Sequence, residues 1–311
     1  MANRIRMSKV VTAGRINSSL QGAAFMVCGM AILGLTDNFI VYIAHEAGLW
    51  QFLLMRSLMA CGLMALGALI LGWCLRPRRW PGVIIRSLCA AFSMVIYFGA
   101  LAYVPIAQAA AGMFTAPIFV LIFSVLLFGR NISLIRILAA ICGFAGVLMV
   151  LQPNPGALQV FAILPVFAGL TWGFVALATR YLCEGEDTVT LLFAFFATLG
   201  ILGAVGLLVT GFGFGGSRGF FGRGWVTPGY DLWFWITVHT LGALVGLWCI
   251  TRAYRAGDPS YVAPFEYSFP IFATCWAWIM FGDLPGPLGW AGFALIILGG
   301  MTIALCRRDD V

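Results

Sequence analysis

A ten-helix membrane protein, built from two five-helix halves that enter the bilayer in opposite senses, is the fold class that this sequence predicts. Three observations predict it. Only 9% of the 311 residues are charged and 62% are hydrophobic, with mean hydropathy +1.01, whereas soluble domains carry about 25% charged residues. The apolar residues gather into runs of the ~20 residues that a helix needs to cross a hydrocarbon core. Short motifs also recur in order. Gly34-Leu35-Thr36-Asp37-Asn38-Phe39 returns as Gly169-Leu170-Thr171-Trp172-Gly173-Phe174, and Pro117-Ile118-Phe119 with Phe128-Gly129 returns as Pro270-Ile271-Phe272 with Phe281-Gly282.

Residues 1–19 form a polar, basic tail. It lacks the short apolar region and small-residue cleavage site of a signal peptide, so the first helix is expected to stay in the protein. Ten spans follow, at 20–42, 47–74, 82–102, 105–128, 132–151, 158–181, 188–210, 231–253, 259–281 and 287–306. The first five, over 20–151, make one repeat and the last five, over 158–306, a second. None of the runs alternates apolar and polar residues as barrel strands do.

Five is an odd number, so the second repeat is expected to be inverted. The corner Phe128-Gly129 is followed by Arg130, and Phe281-Gly282 by Asp283, as opposite sides of a membrane would require. The two echoes are offset by 135 and 153 residues. The second half therefore carries an insertion, placed at 211–230 and read as a flexible external loop. That loop holds Gly211, Gly213 and Gly216 in a GxGxxG spacing, but no strand precedes it, so phosphate binding is not expected.

The net charge of +7 invites a nucleic-acid reading, which placement refutes. Arg4, Arg6, Lys9 and Arg15 precede the first span, Arg76, Arg78, Arg79 and Arg86 lie at the second connection, Arg130 and Arg136 at the fourth, Arg180 at the sixth, Arg252 and Arg255 at the eighth, and Arg307 and Arg308 at the end, all on one side of the span pattern. Arg218 and Arg223 fall on the other, and Arg56 lies inside a span. Basic residues are retained in the cytoplasm, so both termini are expected there. The nine cysteines lie within spans or at their cytoplasmic ends and form no CxxC, so neither disulfides nor a metal site is expected.

An internal duplication in so apolar a chain points to a transporter with a midplane site between its halves. The chain resembles the drug/metabolite transporter superfamily, and within it the EamA-type exporters. The resemblance rests on ten spans in two halves, the corner Ala102-Tyr103-Val104-Pro105 beside Ala253-Tyr254, and a proline-centred fourth span closing in Phe-Gly. It covers both repeats. Asp283 fits the acidic residue that often follows Phe-Gly in that family, and Arg130 departs from it. The resemblance implies export of small metabolites across a bacterial plasma membrane, with the aromatic amino acid exporters most similar, and no cofactor.

Charges inside a bilayer are costly and default to functional hypotheses. Arg56, His239 and Glu266 all fall near the midplane at ~1.5 Å of rise per residue. Arg56 and Glu266 are expected either to pair structurally or to line the substrate path. His239 is expected either to bond a neighbouring carbonyl or to carry protons. The counterpart of Glu266 in the first repeat is Met113. Asp37 and Asn38 are placed at the outer mouth, as solvated groups or gating contacts. Tyr97, Trp172, Trp248 and Tyr267 lie deep, and each needs a partner for its polar atom, which suits a cavity wall as well as packing. Pro117, Pro264 and Pro270 remove helical hydrogen bonds at matched places and allow bending. Gly242 with Gly246, and Gly143 with Gly146, suit close helix packing within a monomer.

Three function classes remain open: an exporter of neutral or aromatic amino acids working by alternating access, proton-coupled efflux of cationic compounds, and a non-transporting scaffold. Enzyme chemistry is not expected, since His45 and His239 are the only histidines and no HExxH occurs.

Overall fold

The computed structural model describes residues 2–100, 103–104, 106–153, 160–210, 220–282 and 284–305, with side chains from residue 18 onward except at 106, 160 and 162. Asp283, residues 211–219 with the GxGxxG glycines and Arg218, Ala102, Pro105, Cys306 and the two C-terminal arginines lie outside the described residues.

Every described regular element is helical. Span 1 is α1 (Ala2–Asp37) with a short α2 (Ile40–Glu46), and span 2 is α3 (Leu49–Leu71). Helix α3 stops where Gly72 takes φ +70°, a left-handed cap that glycine adopts without strain. Span 3 is α4 (Trp80–Ala100) and span 5 is α7 (Leu134–Leu151). Spans 6, 7, 8 and 10 are α8 (Leu164–Tyr181), α9 (Thr188–Val209), α10 (Tyr230–Ala256) and α13 (Pro287–Leu305). Spans 4 and 9, numbered within this order, are broken. Span 4 is α5 (Ile106–Met113) and α6 (Ala116–Leu126); span 9 is α11 (Pro259–Val262), a 3-10 turn at Ala263–Ser268 and α12 (Phe269–Phe281). Eight of the expected crossings are long and apolar enough to traverse a membrane. The other two are α8 and the interrupted span 9.

The breaks have a sequence cause. Pro117 and Pro270 sit in the first turns of α6 and α12, where a missing N–H costs nothing, so each proline opens the second half-helix. The interruptions lie beside the prolines expected to allow bending. Pro264 lies in the 3-10 turn itself.

The packing repeats when the halves are exchanged. Helix α1 packs on α10 as α4 packs on α8, and α1 meets α12 as α8 meets α5 and α6. Equivalent helices also pair with each other, α3 with α9 and α7 with α13. Both pairs run antiparallel: Gly203 lies against Leu54 and Gly200 against Ser57, while Gly146 meets Gly292 and Ala139 meets Gly299. A methyl on Gly146 would come 2.7 Å from the Gly292 carbonyl, and one on Gly292 would come 2.6 Å from the Gly146 carbonyl. With lipid outside as apolar as the helix faces, such backbone approach is what holds membrane helices together. Gly242 and Gly246 likewise pack on Thr36 and Leu33 of α1, inside the same chain.

Two expectations fail here. Arg86 is not in a connection but buried in α4, where it donates to Thr179 Oγ1 (3.1 Å), the Leu191 carbonyl (2.9 Å) and Thr251 Oγ1 (3.5 Å). It thereby ties α4 to α8, α9 and α10. The loop over 211–230, expected to be flexible, is docked in its described part. Phe220 accepts from Leu49 N–H, Val226 exchanges two hydrogen bonds with the Gln51 side chain, and Arg223 Nη1 donates to the His45 carbonyl at 2.8 Å.

Candidate functional site

Where the two broken spans face each other, they leave a cavity of about 120 Å³. Met113 ends α5 on one side of it, and Glu266 in the 3-10 turn lies on the other. These positions are equivalents under the 153-residue offset, so the duplication delivers one apolar and one acidic side chain to a common space. Irregular backbone at membrane depth is tolerated where it lines a cavity, because the freed polar groups then find partners. Tyr97, Phe98, Phe114, Trp172 and Phe269 supply aromatic walls, and Arg56 and Asp37 supply the remaining charges.

Glu266 is 4% exposed, and its Oε1 accepts from the Tyr254 hydroxyl at 2.5 Å and from Trp172 Nε1 at 3.4 Å. Both donors are neutral. Tyr254 comes from α10 and Trp172 from α8, so the carboxylate is oriented by helices of the second repeat alone. Tyr254 entered the sequence reading only as part of a family corner. Its role follows from the turn into span 9, which folds residue 266 back beneath α10.

Arg56, also 4% exposed, does not pair with Glu266. Its guanidinium lies 5.6 Å from the Phe52 ring centroid and 5.4 Å from that of Phe196, and its Nε has no hydrogen-bond partner. Arginine on an aromatic face gains cation–π attraction and keeps its in-plane donors for another partner. The expected alternative of a structural Arg56–Glu266 pair is thus corrected: Glu266 takes its hydrogen bonds from Tyr254 and Trp172, while Arg56 lies between two aromatic rings and its charged neighbour is Asp37.

His239 sits behind the cavity wall at 2% exposure, edge-on to Phe52, with Nε2 3.5 Å from Asp37 Oδ1. Neither ring nitrogen has a hydrogen-bond partner, so of the two expected roles the bond to a neighbouring carbonyl is not made, and the group nearest Nε2 is the Asp37 carboxylate. Asp37 belongs to both the cavity and a wider mouth of about 400 Å³, which also contains His45, Phe220 and Ala273. Asn38 Nδ2 donates to the Gly34 carbonyl at 2.7 Å and to that of Ala273 at 3.2 Å, clipping α1 to α12. The cavity thus borders the mouth, with Asp37, Tyr97, Phe98, Ala110 and Phe269 common to both.

At its opposite end it is closed. Trp172, Leu247 and Ile250 belong both to the cavity and to a constriction of about 10 Å³ that contains Arg86, Thr179, Thr251 and Tyr254. Roughly one water fits such a volume. Two aromatic residues expected at the cavity lie elsewhere. Trp248 packs between Phe25 and Arg252, and Tyr267 fills the space over Gly143 and Phe144 of α7. Adjacent residues of one turn diverge, so Glu266 and Tyr267 could not both face the cavity.

A further literal motif, Gly215-x-Ser217-x-Gly219, lies outside the described residues. It follows the helix α9, whereas a nucleophile elbow follows a strand.

The family model of EamA-like transporters matches the chain twice, at residues 20–152 and 159–305. The chain belongs to the EamA-like transporter family. It is thus a multi-pass, small-molecule membrane transporter of the drug/metabolite type. A riboflavin transporter of Rhizobium johnstonii is 30% identical over 219 residues, covering 70% of this chain and 68% of that protein. A riboflavin transporter of Vibrio cholerae is 25% identical over 285 residues, 90% of this chain and 91% of that one. A pseudopaline exporter of Pseudomonas aeruginosa is 26% identical over 231 residues, covering 73% and 76%. A crystal structure at 17% identity superposes with TM-score 0.77 over 94% of this chain and 98% of its own, which shows the fold.

Proposed function

We propose that this EamA-family protein exports a small zwitterionic metabolite, a neutral or aromatic amino acid, by alternating access around the central cavity. One observation carries the substrate reading: Arg56 and Glu266 face one aromatic-walled cavity without pairing with each other. A carboxylate would find the guanidinium of Arg56, an ammonium would find Glu266, and an apolar side chain would lie against Phe114, Trp172 and Phe269. A neutral flavin, the substrate in the names of several relatives, uses neither charge.

Alternating access is supported by a cavity that borders a wide mouth at one end and a narrow constriction at the other, between two halves whose equivalent helices pack antiparallel. In this reading the repeats are inverted, the arginine-rich end and both termini face the cytoplasm of a bacterial inner membrane, and the mouth faces outward. The small-residue faces are used within the chain, which supports a monomer. The test is flux from loaded proteoliposomes of labelled L-phenylalanine, L-leucine, riboflavin and tetraphenylphosphonium, with and without a pH gradient. Saturable flux of the amino acids is expected; flux of riboflavin alone would overturn the substrate assignment.

A second reading, proton-coupled efflux of cationic compounds, is favoured by one observation, that Glu266 has only neutral partners. It requires tetraphenylphosphonium flux that follows the pH gradient and loses that response in Glu266→Gln.

A further inference from the structure

Beyond the constriction, at the arginine-rich end, lies a second and larger concavity of about 550 Å³. It falls within the ~300–1,000 Å³ range of small-molecule sites. Four arginines line it: Arg130 in the corner after α6, Arg180 at the end of α8, and Arg252 and Arg255 near the end of α10. Glu184 is the one carboxylate among its described lining residues. At contact distance each arginine meets neutral groups, while Asp187 and Glu186 act on Arg255 from further off. Arg130 lies 5.8 Å from the Tyr181 ring centroid, and Arg252 lies 5.5 Å from that of Trp248. Arg255 Nη1 donates to Thr188 Oγ1 at 2.6 Å, and Arg180 Nη1 donates to the Arg255 carbonyl. Among the described residues none of the four is ion-paired.

Membrane insertion accounts for arginines at this end of the molecule, but not for their convergence on one concavity. The concavity also lies on the path. Thr179 belongs both to it and to the constriction, where Arg86 donates to that same threonine. Beyond the constriction stands Arg56. Guanidinium groups therefore occur at three successive stations, in the wide pocket, the closed neck and the central cavity.

We propose that the four-arginine pocket binds the carboxylate end of the transported solute and holds it before the neck opens. The proposal rests on the transport of a carboxylate-bearing solute inferred above. The phosphate of an anionic lipid headgroup offers the same oxyanion chemistry, and the test separates the two sources.

Isothermal titration of the purified protein in uncharged detergent would use N-acetyl-L-phenylalanine, an aromatic carboxylate without an ammonium group. The wild type should bind it. Arg130→Gln with Arg252→Gln should weaken binding about tenfold or more, and lysine at both positions should restore part of the loss. Arg76→Gln, at an exposed arginine of the same end that lines none of the cavities, should change this affinity by less than about twofold, since sites that share no partner act independently. Thermal melts check folding, and the single change Arg252→Gln serves if the double variant does not fold. An unchanged affinity in a folded glutamine variant would overturn the proposal. So would tighter, arginine-dependent binding of short-chain phosphatidylglycerol that N-acetyl-L-phenylalanine fails to displace. Anion binding without L-phenylalanine flux would sink the substrate reading and leave the pocket standing; flux without anion binding would do the reverse.

Discussion

Glu266 takes its hydrogen bonds from Tyr254 and Trp172, and Arg56 rests between Phe52 and Phe196. Removing either charge therefore leaves the other's surroundings intact. The stability losses of Arg56→Gln and Glu266→Gln should add within ~0.5 kcal/mol in the double variant, as for sites without shared partners. Coupling of ~3 kcal/mol in thermal or denaturant unfolding would mean a buried pair instead. Trp172→Ala and Tyr97→Ala should lower transport more than they lower the amount of folded protein, while Trp248→Ala should lower both together or neither. Proteoliposome flux, normalised to reconstituted protein, measures this. Helix arithmetic placed Arg56, His239 and Glu266 near one level, because rise per residue is fixed. It could not give the angle each side chain takes around its helix, nor which helices are neighbours. For that reason Trp248 and Tyr267 were expected at the cavity, and Tyr254 was not.

The broken spans carry the chemistry at the next scale up. Proline after the break in both α6 and α12 was legible as matched prolines, yet hydropathy over 105–128 and 259–281 reads as continuous helix because it is blind to backbone angles. Arg86 was misplaced for a similar reason: position near a span end implies solvent only when no other helices cover it. Close helix approach makes a sharper test. Gly146→Ala would set a methyl 2.7 Å from the Gly292 carbonyl, and overpacking of this kind costs ~1–3 kcal/mol. A melting temperature clearly below wild type is expected. Gly62 of α3 has nothing within 4 Å of an added methyl, so Gly62→Ala should leave melting unchanged or slightly raised. Equal effects at the two sites would show that helix propensity, not packing, decides them.

At the scale of the molecule, the ordered echoes made the duplication legible, and odd spans per half made antiparallel equivalents a necessity. The cavity itself was not legible, since it arises between segments some 150 residues apart. Orientation has its own test with an impermeant maleimide on intact cells. A cysteine in place of Tyr230, a residue 83% exposed near the mouth, should be labelled, and exposed Cys74 should react only after permeabilisation. Cys183 should stay unlabelled throughout at neutral pH. It is buried, and burial, reinforced by Glu186 and only partly opposed by Arg86, pushes its thiol up to about 11. Labelling of Cys74 in intact cells would reverse the orientation. The most direct test of the cavity as the transport site uses Met113, the apolar equivalent of Glu266. In Met113→Cys, mixed-disulfide formation with a small methanethiosulfonate added from the mouth side, which releases methanesulfinate, should proceed and should be slowed by L-phenylalanine, at concentrations that half-saturate its flux. Modification at one rate with and without the transported solute would contradict the account.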